Sequence, residues 1–401
     1  MKKIVKLSLA TSLVLVGSLH AENLSEAFAN SKVKGEIKAE YSDSNFLGKA
    51  KSDDIIGIGG SLGLKTASYY GFTAGVTFQA SSIINDDNNS DVFVNDLDAS
   101  GAVLSESYID YTISNTNLKV GRQFMYTPLV STAIDGKSSE SILKDSFEAY
   151  VLTNTDIPNT ILSAAYINKY QGKTDGLGDT SDFDKFQDGA YSIYAKNTSL
   201  ENLTLQAQYL NEDGETKTSD KDVLYFQADY TIAGHNLSFQ ALSSTDKTQA
   251  SNAQDGELFG LRAMGPLGIW KLGYIIAYNS STDKNAPVYT GVGTGTSDTP
   301  FTAMPVHGGG VPTRADTDTI VGGIIAPIAD ATVISYAGKS SSKSHALGDV
   351  DAIGAMVIYP ISKNFLLKIN YEHVETENII NPAGIVDEDT DTTRIYLSYK
   401  F

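Results

Sequence analysis

Thr392–Phe401 reads TTRIYLSYKF, and its reading decides the fold. Thr393, Ile395, Leu397, Tyr399 and Phe401 alternate with Thr392, Arg394, Tyr396, Ser398 and Lys400. A period of two is that of a β-strand with one apolar and one mostly polar face. Terminal residues usually fray, so alternation running through Phe401 predicts a strand that something else holds. The same pattern recurs upstream. In "KVKGEIKAEY", Val33, Gly35, Ile37, Ala39 and Tyr41 alternate with Lys34, Glu36, Lys38 and Glu40. "YYGFTAGVTFQA", "LTLQAQYL", "LYFQADYTI", "WKLGYIIAY", "DAIGAMVIY" and "FLLKINYEH" repeat it, and about eighteen such segments fill the chain.

The connections separate a barrel from a sandwich. Short turns fall at 65–68, 114–117, 154–159, 197–202, 233–236, 265–268, 327–330 and 360–364. They alternate with long polar loops, among them 42–53, 81–103, 124–145, 171–188, 279–318 and 375–390. A soluble sandwich also alternates along its strands, but does not predict short turns on one rim and long loops on the other. Nor does it predict aromatics at strand ends, such as Tyr70, Trp270, Tyr278, Tyr359, Tyr371 and Tyr399. The expected fold is all-β: a transmembrane antiparallel up-and-down barrel with short periplasmic turns and long extracellular loops. In such a barrel "RIYLSYKF" pairs with "VKGEIKAEY", closing the wall. A terminal Phe after alternating apolar residues resembles the signature that barrel-assembly machinery reads.

Residues 1–21 read as a cleaved signal peptide: a basic start, a short apolar stretch and a small residue at Ala21. Residues 22–401 are then one barrel domain. The 30 Lys and Arg against 48 Asp and Glu give −18. Losing Lys2, Lys3 and Lys6 leaves 27 against 48, or −21. Such acidity argues against nucleic acid as a partner. Cysteine is absent, which excludes thiolate chemistry and a disulfide scaffold.

Alternation places Lys34, Glu36, Lys38, Glu40, Asp110, Glu148, Asp229, Arg262, Lys368, Glu372, Arg394 and Lys400 on the inner face. Lys271, mirrored across the 265–268 turn, is expected beside Arg262. Lys34, Lys38, Lys368, Arg394 and Lys400 gather at the seam between first and last strands. They fit either an ion-selective wall or salt-bridged wall polarity. Loop 124–145, more apolar than a solvated loop, is expected to fold inward; its polar and turn-forming residues are Thr127, Pro128, Asp135, Lys137, Glu140, Lys144 and Asp145.

"LKVGRQFMYTPLVS", "DSFEAYVLTNT" and "GGGVPTRADTD" resemble segments of the OprD-like outer-membrane porin family. The matching residues are Gly121, Arg122, Gln123, Thr127, Pro128, Leu129, Phe147, Glu148, Tyr150, Gly308, Gly309, Gly310, Pro312, Arg314, Asp316 and Asp318. The chain departs at Ser141, Lys144 and Ala149, where that family has Arg, Pro and Gly. The resemblance implies a Gram-negative outer-membrane channel for ions and small hydrophilic solutes, with a constriction loop and a row of lumenal basic residues. Its expected surroundings are outer-membrane lipid and lipopolysaccharide, and a homotrimer is compatible with such a barrel. A non-conducting barrel acting as adhesin or anchor through its loops shares the fold.

Enzymatic and metal readings fail on chemistry. "GGSLG" at 59–63 has the G-x-S-x-G spacing, but Ser61 lies inside an alternating segment with no helix to follow. "HGGG" at 307–310 stands in the wrong order for it, and no histidine is spaced as its base. The acidic run at 85–98 lacks the Gly and final Glu of a calcium loop. No enzyme, cofactor or metal site is expected.

Overall fold

A computed structural model describes residues 21–47, 52–86, 99–176, 178–213, 220–247, 254–282, 286–305, 310–343, 348–381 and 384–401. The signal peptide up to residue 20, most of the acidic run at 85–98 and most of "HGGG" lie outside the described residues. After a short helix, α1 (Leu24–Ala29), come β1 (Lys32–Leu47), β2 (Ser52–Lys65), β3 (Phe72–Asp86), β4 (Gly101–Ile113) and β5 (Thr116–Gln123). A small inner hairpin follows, β6 (Tyr126–Thr127) and β7 (Val130–Ser131). The wall resumes with β8 (Ser146–Asn154), β9 (Thr160–Gln171), β10 (Asp184–Asn197), β11 (Leu203–Asp213), β12 (Lys221–Ile232) and β13 (His235–Asp246). It continues with β14 (Gln254–Pro266), β15 (Gly273–Ser281), β16 (Thr317–Ile328), β17 (Ala331–Ser342), β18 (Asp349–Pro360), β19 (Phe365–Asn381) and β20 (Gly384–Lys400).

All but the inner hairpin form one 18-stranded antiparallel sheet, which closes where β1 pairs with β20. The seam register runs from Glu36 opposite Lys400 to Leu47 opposite Asp389. Phe401 extends it by exchanging backbone hydrogen bonds with Gly35 at 2.9 and 3.0 Å. Its ring lies where a Gly35 side chain would otherwise point, 2.5 Å from an added Cβ. The alternation at Thr392–Phe401 is therefore one half of the closing seam.

The wall is apolar outside and polar over much of its inside. Ile37, Ile58, Phe78, Ile193, Leu261 and Ile353 are exposed, whereas Lys38, Glu40, Gln79, Gln208, Gln240 and Asn279 are buried. That inversion is expected of a wall facing lipid on one side and a polar interior on the other. The short turns all join consecutive strands at one rim. Beside that rim α1 is capped by Asn23, which accepts from the Glu26 amide at 2.9 Å, and its Ala27 carbonyl accepts from Ala67 at 3.0 Å.

Two expected loops are largely strand. Of segment 42–53, the described residues 42–47 and 52–53 are paired, and 375–390 continues β19 and β20 up to Asn381 opposite Gly384. Their Asp, Glu and Thr content marks contact with water, which a paired backbone tolerates as readily as an unpaired one. Lys271 is also misplaced by pattern alone. It lies exposed in a turn spanning 267–272, with φ 59°, while Arg262 pairs with Ala277. The turn is longer and centred further on than "GPLG" implied, which shifts the register beyond it.

Candidate functional site

Inside the barrel two long connections meet. The segment 124–145, between β5 and β8, crosses the lumen. Its Thr-Pro-Leu stretch makes the tight hairpin β6–β7, with Thr127 opposite Val130. Leu129, Val130 and Met125 join Phe147, Ile167, Leu210, Val223 and Leu258 in an apolar core against the inner face of β8–β14. The second segment, 286–305 between β15 and β16, lies beside it. Val288 and Val292 enter the same core, and the 3-10 helix Thr294–Asp298 faces Ser138 and Ser139.

Two aspartates tie these segments together. Asp145, fully buried, accepts from the Ala133 amide at 2.7 Å, the Thr294 amide and hydroxyl at 2.8 Å each, and the Tyr170 hydroxyl at 3.1 Å. Asp298 accepts from the amide and hydroxyl of Ser138 at 3.1 and 2.7 Å and from the Ser139 hydroxyl at 2.5 Å. Wall amides do a related task, because a carboxamide presents an N–H donor group beside a carbonyl acceptor, as a strand edge does. Gln79 bonds both the amide and the carbonyl of Lys144, and Gln240 bonds Phe301 N–H and the Thr299 carbonyl. Gln208 accepts from Leu129 N–H at 2.9 Å, and Asn279 accepts from Thr302 N–H at 2.9 Å.

The tip of segment 124–145 meets the seam wall. Lys38 lies 3.1 Å from Asp135 and 3.5 Å from Glu140, Lys144 lies 3.1 Å from Asp135, and Lys368 pairs with Glu140. Lys400 reaches Asp135 at 3.2 Å and Glu36 at 3.6 Å. Glu372 accepts from the Tyr336 hydroxyl at 2.6 Å. The inner-face assignments of Glu36, Lys38, Glu40, Lys368, Glu372, Arg394 and Lys400 thus agree with the structure, but Lys38, Glu40, Lys368 and Glu372 are covered. Lys34 sits exposed near the rim.

Other expected charges form separate groups. Arg122 and Lys169 flank Glu148 at 3.7 and 3.6 Å, and Lys65 pairs with Asp110 at 3.5 Å. Arg262 lies 3.7 Å from Asp229 and over the Phe301 ring at 4.3 Å. Lys137 makes no salt bridge among the described residues. Burial lowers its ammonium, Asp298 opposes that, and the Arg262 charge adds to it.

Burial by itself would raise the Asp135 carboxyl, but Lys38, Lys144 and Lys400 together hold it well below the usual carboxylate range. A depressed carboxyl stabilises the docked loop fully above its unfolded pKa, and that contribution is lost only as pH falls through the folded one. Titration of labelled Asp carboxyls by NMR is therefore expected to show Asp135 still ionised through about pH 4, where an ordinary aspartate is half protonated. A protonation step for Asp135 near that pH would contradict the three-lysine arrangement.

Asp298, Thr294, Gln208, Gln240, Asn279 and Tyr396 were not singled out from sequence. One signal was available. "GVGTGT" at 291–296 puts glycine at every second position, and added Cβ atoms at Gly291, Gly293 and Gly295 would lie 2.2, 2.3 and 2.2 Å from the carbonyl oxygens of Leu129, Ser131 and Thr132. Such spacing marks two backbones in close approach.

No family model and no curated protein matches the chain. Solved structures do. OpdO of Pseudomonas aeruginosa superposes with TM-score 0.73 at 15% identity, over 94% of this chain and 98% of that one. The fold is that of the OprD-like barrels. OccAB1 of Acinetobacter baumannii gives TM-score 0.75 at 13% identity, over 96% and 99% of the two chains. OpdK of P. aeruginosa, in a structure with vanillate, gives 0.71 at 13% identity, over 93% and 99%. The likeness to the OprD-like fold thus spans 93–96% of the chain at 13–15% identity.

Proposed function

We propose that this chain is an outer-membrane porin through which ions and small hydrophilic solutes diffuse passively, past a constriction formed by segments 124–145 and 286–305. The observation that carries the reading is the inverted wall around inward-folded loops. Eighteen strands enclose a lumen too wide for wall side chains to fill, the wall facing it is polar apart from the apolar patches against which the inner segments pack, and two polypeptide segments narrow it from within. An anchor or adhesin has no use for loops fastened inside the barrel by a buried Asp145 and a half-buried Asp298. The chemistry of the site is non-enzymatic: fixed charges and hydrogen-bonding groups around a passage.

Selectivity follows from which charges stay wet. Of the seam cations, Lys38, Lys368 and Lys400 are matched by Asp135, Glu140 and Glu36, so they do not dominate the passage. With a net charge of −18 for the whole sequence, a weak cation preference is the expected balance. Refolded residues 22–401 in a planar bilayer under a KCl gradient should give stepwise conductance with a small reversal potential of cation-selective sign. The opposite sign would show that the half-buried cations Lys137, Arg122 and Arg262 prevail. A folded, heat-modifiable barrel that never conducts would overturn the porin and move function to the surface loops.

A further inference from the structure

We propose that Ser138–Leu143 is an internal clasp that holds the barrel shut at its seam, with Glu140 as the positioning residue. The β1–β20 pairing joins residues some 350 positions apart, and closing so long a chain segment carries the largest entropic cost of any strand pair in the wall. Four consecutive loop carbonyls are each met by a different side chain. Ser138 accepts from Arg394 at 3.3 Å, Ser139 from Lys173 at 3.2 Å, Glu140 from the Tyr396 hydroxyl at 3.1 Å and Ser141 from Lys38 at 3.0 Å. Lys38 belongs to β1, and Arg394 and Tyr396 to β20, so one short run of backbone grips both sides of the seam.

The Glu140 carboxylate widens the grip. It pairs with Lys38 on β1 and with Lys368 on β19, spanning β20 between them. On the other flank Ile142 sits over β2, where Cβ atoms at Gly57 and Gly59 would come within 2.6 and 2.7 Å of it. The loop therefore bridges β2 to β19 across the closure. Side-chain exposures of 2% for Lys38, 4% for Lys368 and 6% for Glu140 take these three charges out of the lumen's water. They act on the wall, not on passing solute. This role concerns closure and does not depend on conduction.

The test uses refolded residues 22–401 and the temperature at which the folded band is lost on an unheated SDS gel. Glu140→Ala leaves the buried Lys368 ammonium without its ion-pair partner and removes one of the two carboxylates beside Lys38, which keeps Asp135. It is expected to lower that midpoint by about 5 °C, with Glu140→Gln lowering it by about half as much. The cysteine-free chain permits a clean cross-link, Ala39→Cys with Leu397→Cys, residues directly opposite across the seam. In the cross-linked barrel the Glu140→Ala deficit should shrink to less than half, because the seam no longer needs the clasp and only the cost of the unpaired Lys368 charge remains. Unchanged midpoints in the uncrosslinked variants would overturn the proposal. So would a deficit of undiminished size after cross-linking, which would place the stabilisation away from the seam. If the alanine variant does not refold, Glu140→Gln carries the same comparison.

Discussion

Asp145→Ala is expected to unseat both inner segments together, weakening their docking by about 3–5 kcal/mol. The carboxylate is fully buried and receives four donors, two from Thr294, one from Ala133 and one from Tyr170. Alanine leaves all four without an acceptor in a space that Phe147, Val292 and Leu129 keep largely dry. The barrel wall itself should survive, since its ladders do not pass through Asp145. Two measurements check this. Single-channel recordings should show larger and noisier conductance than the parent, as segments once fixed begin to fluctuate. Limited proteolysis should cut within 124–145 or 286–305 while the heat-modifiable band persists. Asp145→Asn retains an acceptor and should lie between the two. A quiet parental conductance in Asp145→Ala would remove Asp145 from the constriction.

Gly293→Ala should produce the second-largest effect, of about 2–4 kcal/mol against docking of the second segment. Gly293 has φ 95°, a region that L side chains rarely adopt, and its Cβ would fall 2.3 Å from the Ser131 carbonyl and 2.7 Å from the Phe147 ring. Neither neighbour can retreat, because Ser131 belongs to the inner hairpin and Phe147 is fully buried. Gly136→Ala supplies the comparison. Gly136 has a similar φ of 84°, yet nothing lies within 4 Å of its added Cβ. Backbone strain alone should cost about 1 kcal/mol there, so conductance close to the parent is expected. If both alanine variants conduct alike, close approach of the two backbones is not what sets the passage.

The contrast between these glycines shows what pattern reading reaches. Both are loop glycines in the sequence, and their difference lies in a strand-like neighbour more than 150 positions away in one case and open space in the other. The same holds for Lys38 and Lys400. Alternation assigns both to the inner face, correctly, because the period of a strand fixes which way each side chain points. It carries no information on depth beneath a covering loop, so a buried anchor and a half-exposed lumenal cation look identical. The Lys271 error has another source: a turn two residues longer than supposed moves every later assignment on the adjoining strand until another feature resets it. Within the 279–318 connection, read as a long surface loop from its polar composition, residues 286–305 turn inward because Asp298, Thr294 and the alternating glycines complement residues of segment 124–145.

By itself, then, the sequence determined the strands, their inward and outward faces, the single rim of short turns, and the closure of Thr392–Phe401 on the first strand. Each is local: period two, turn chemistry and the requirement that every strand edge be paired. Only the tertiary structure decided which lumenal charges are spent on holding the loops and which face the passage. That choice rests on contacts between distant segments, such as Glu140 with Lys368 and Asp298 with Ser138, and no local period encodes them.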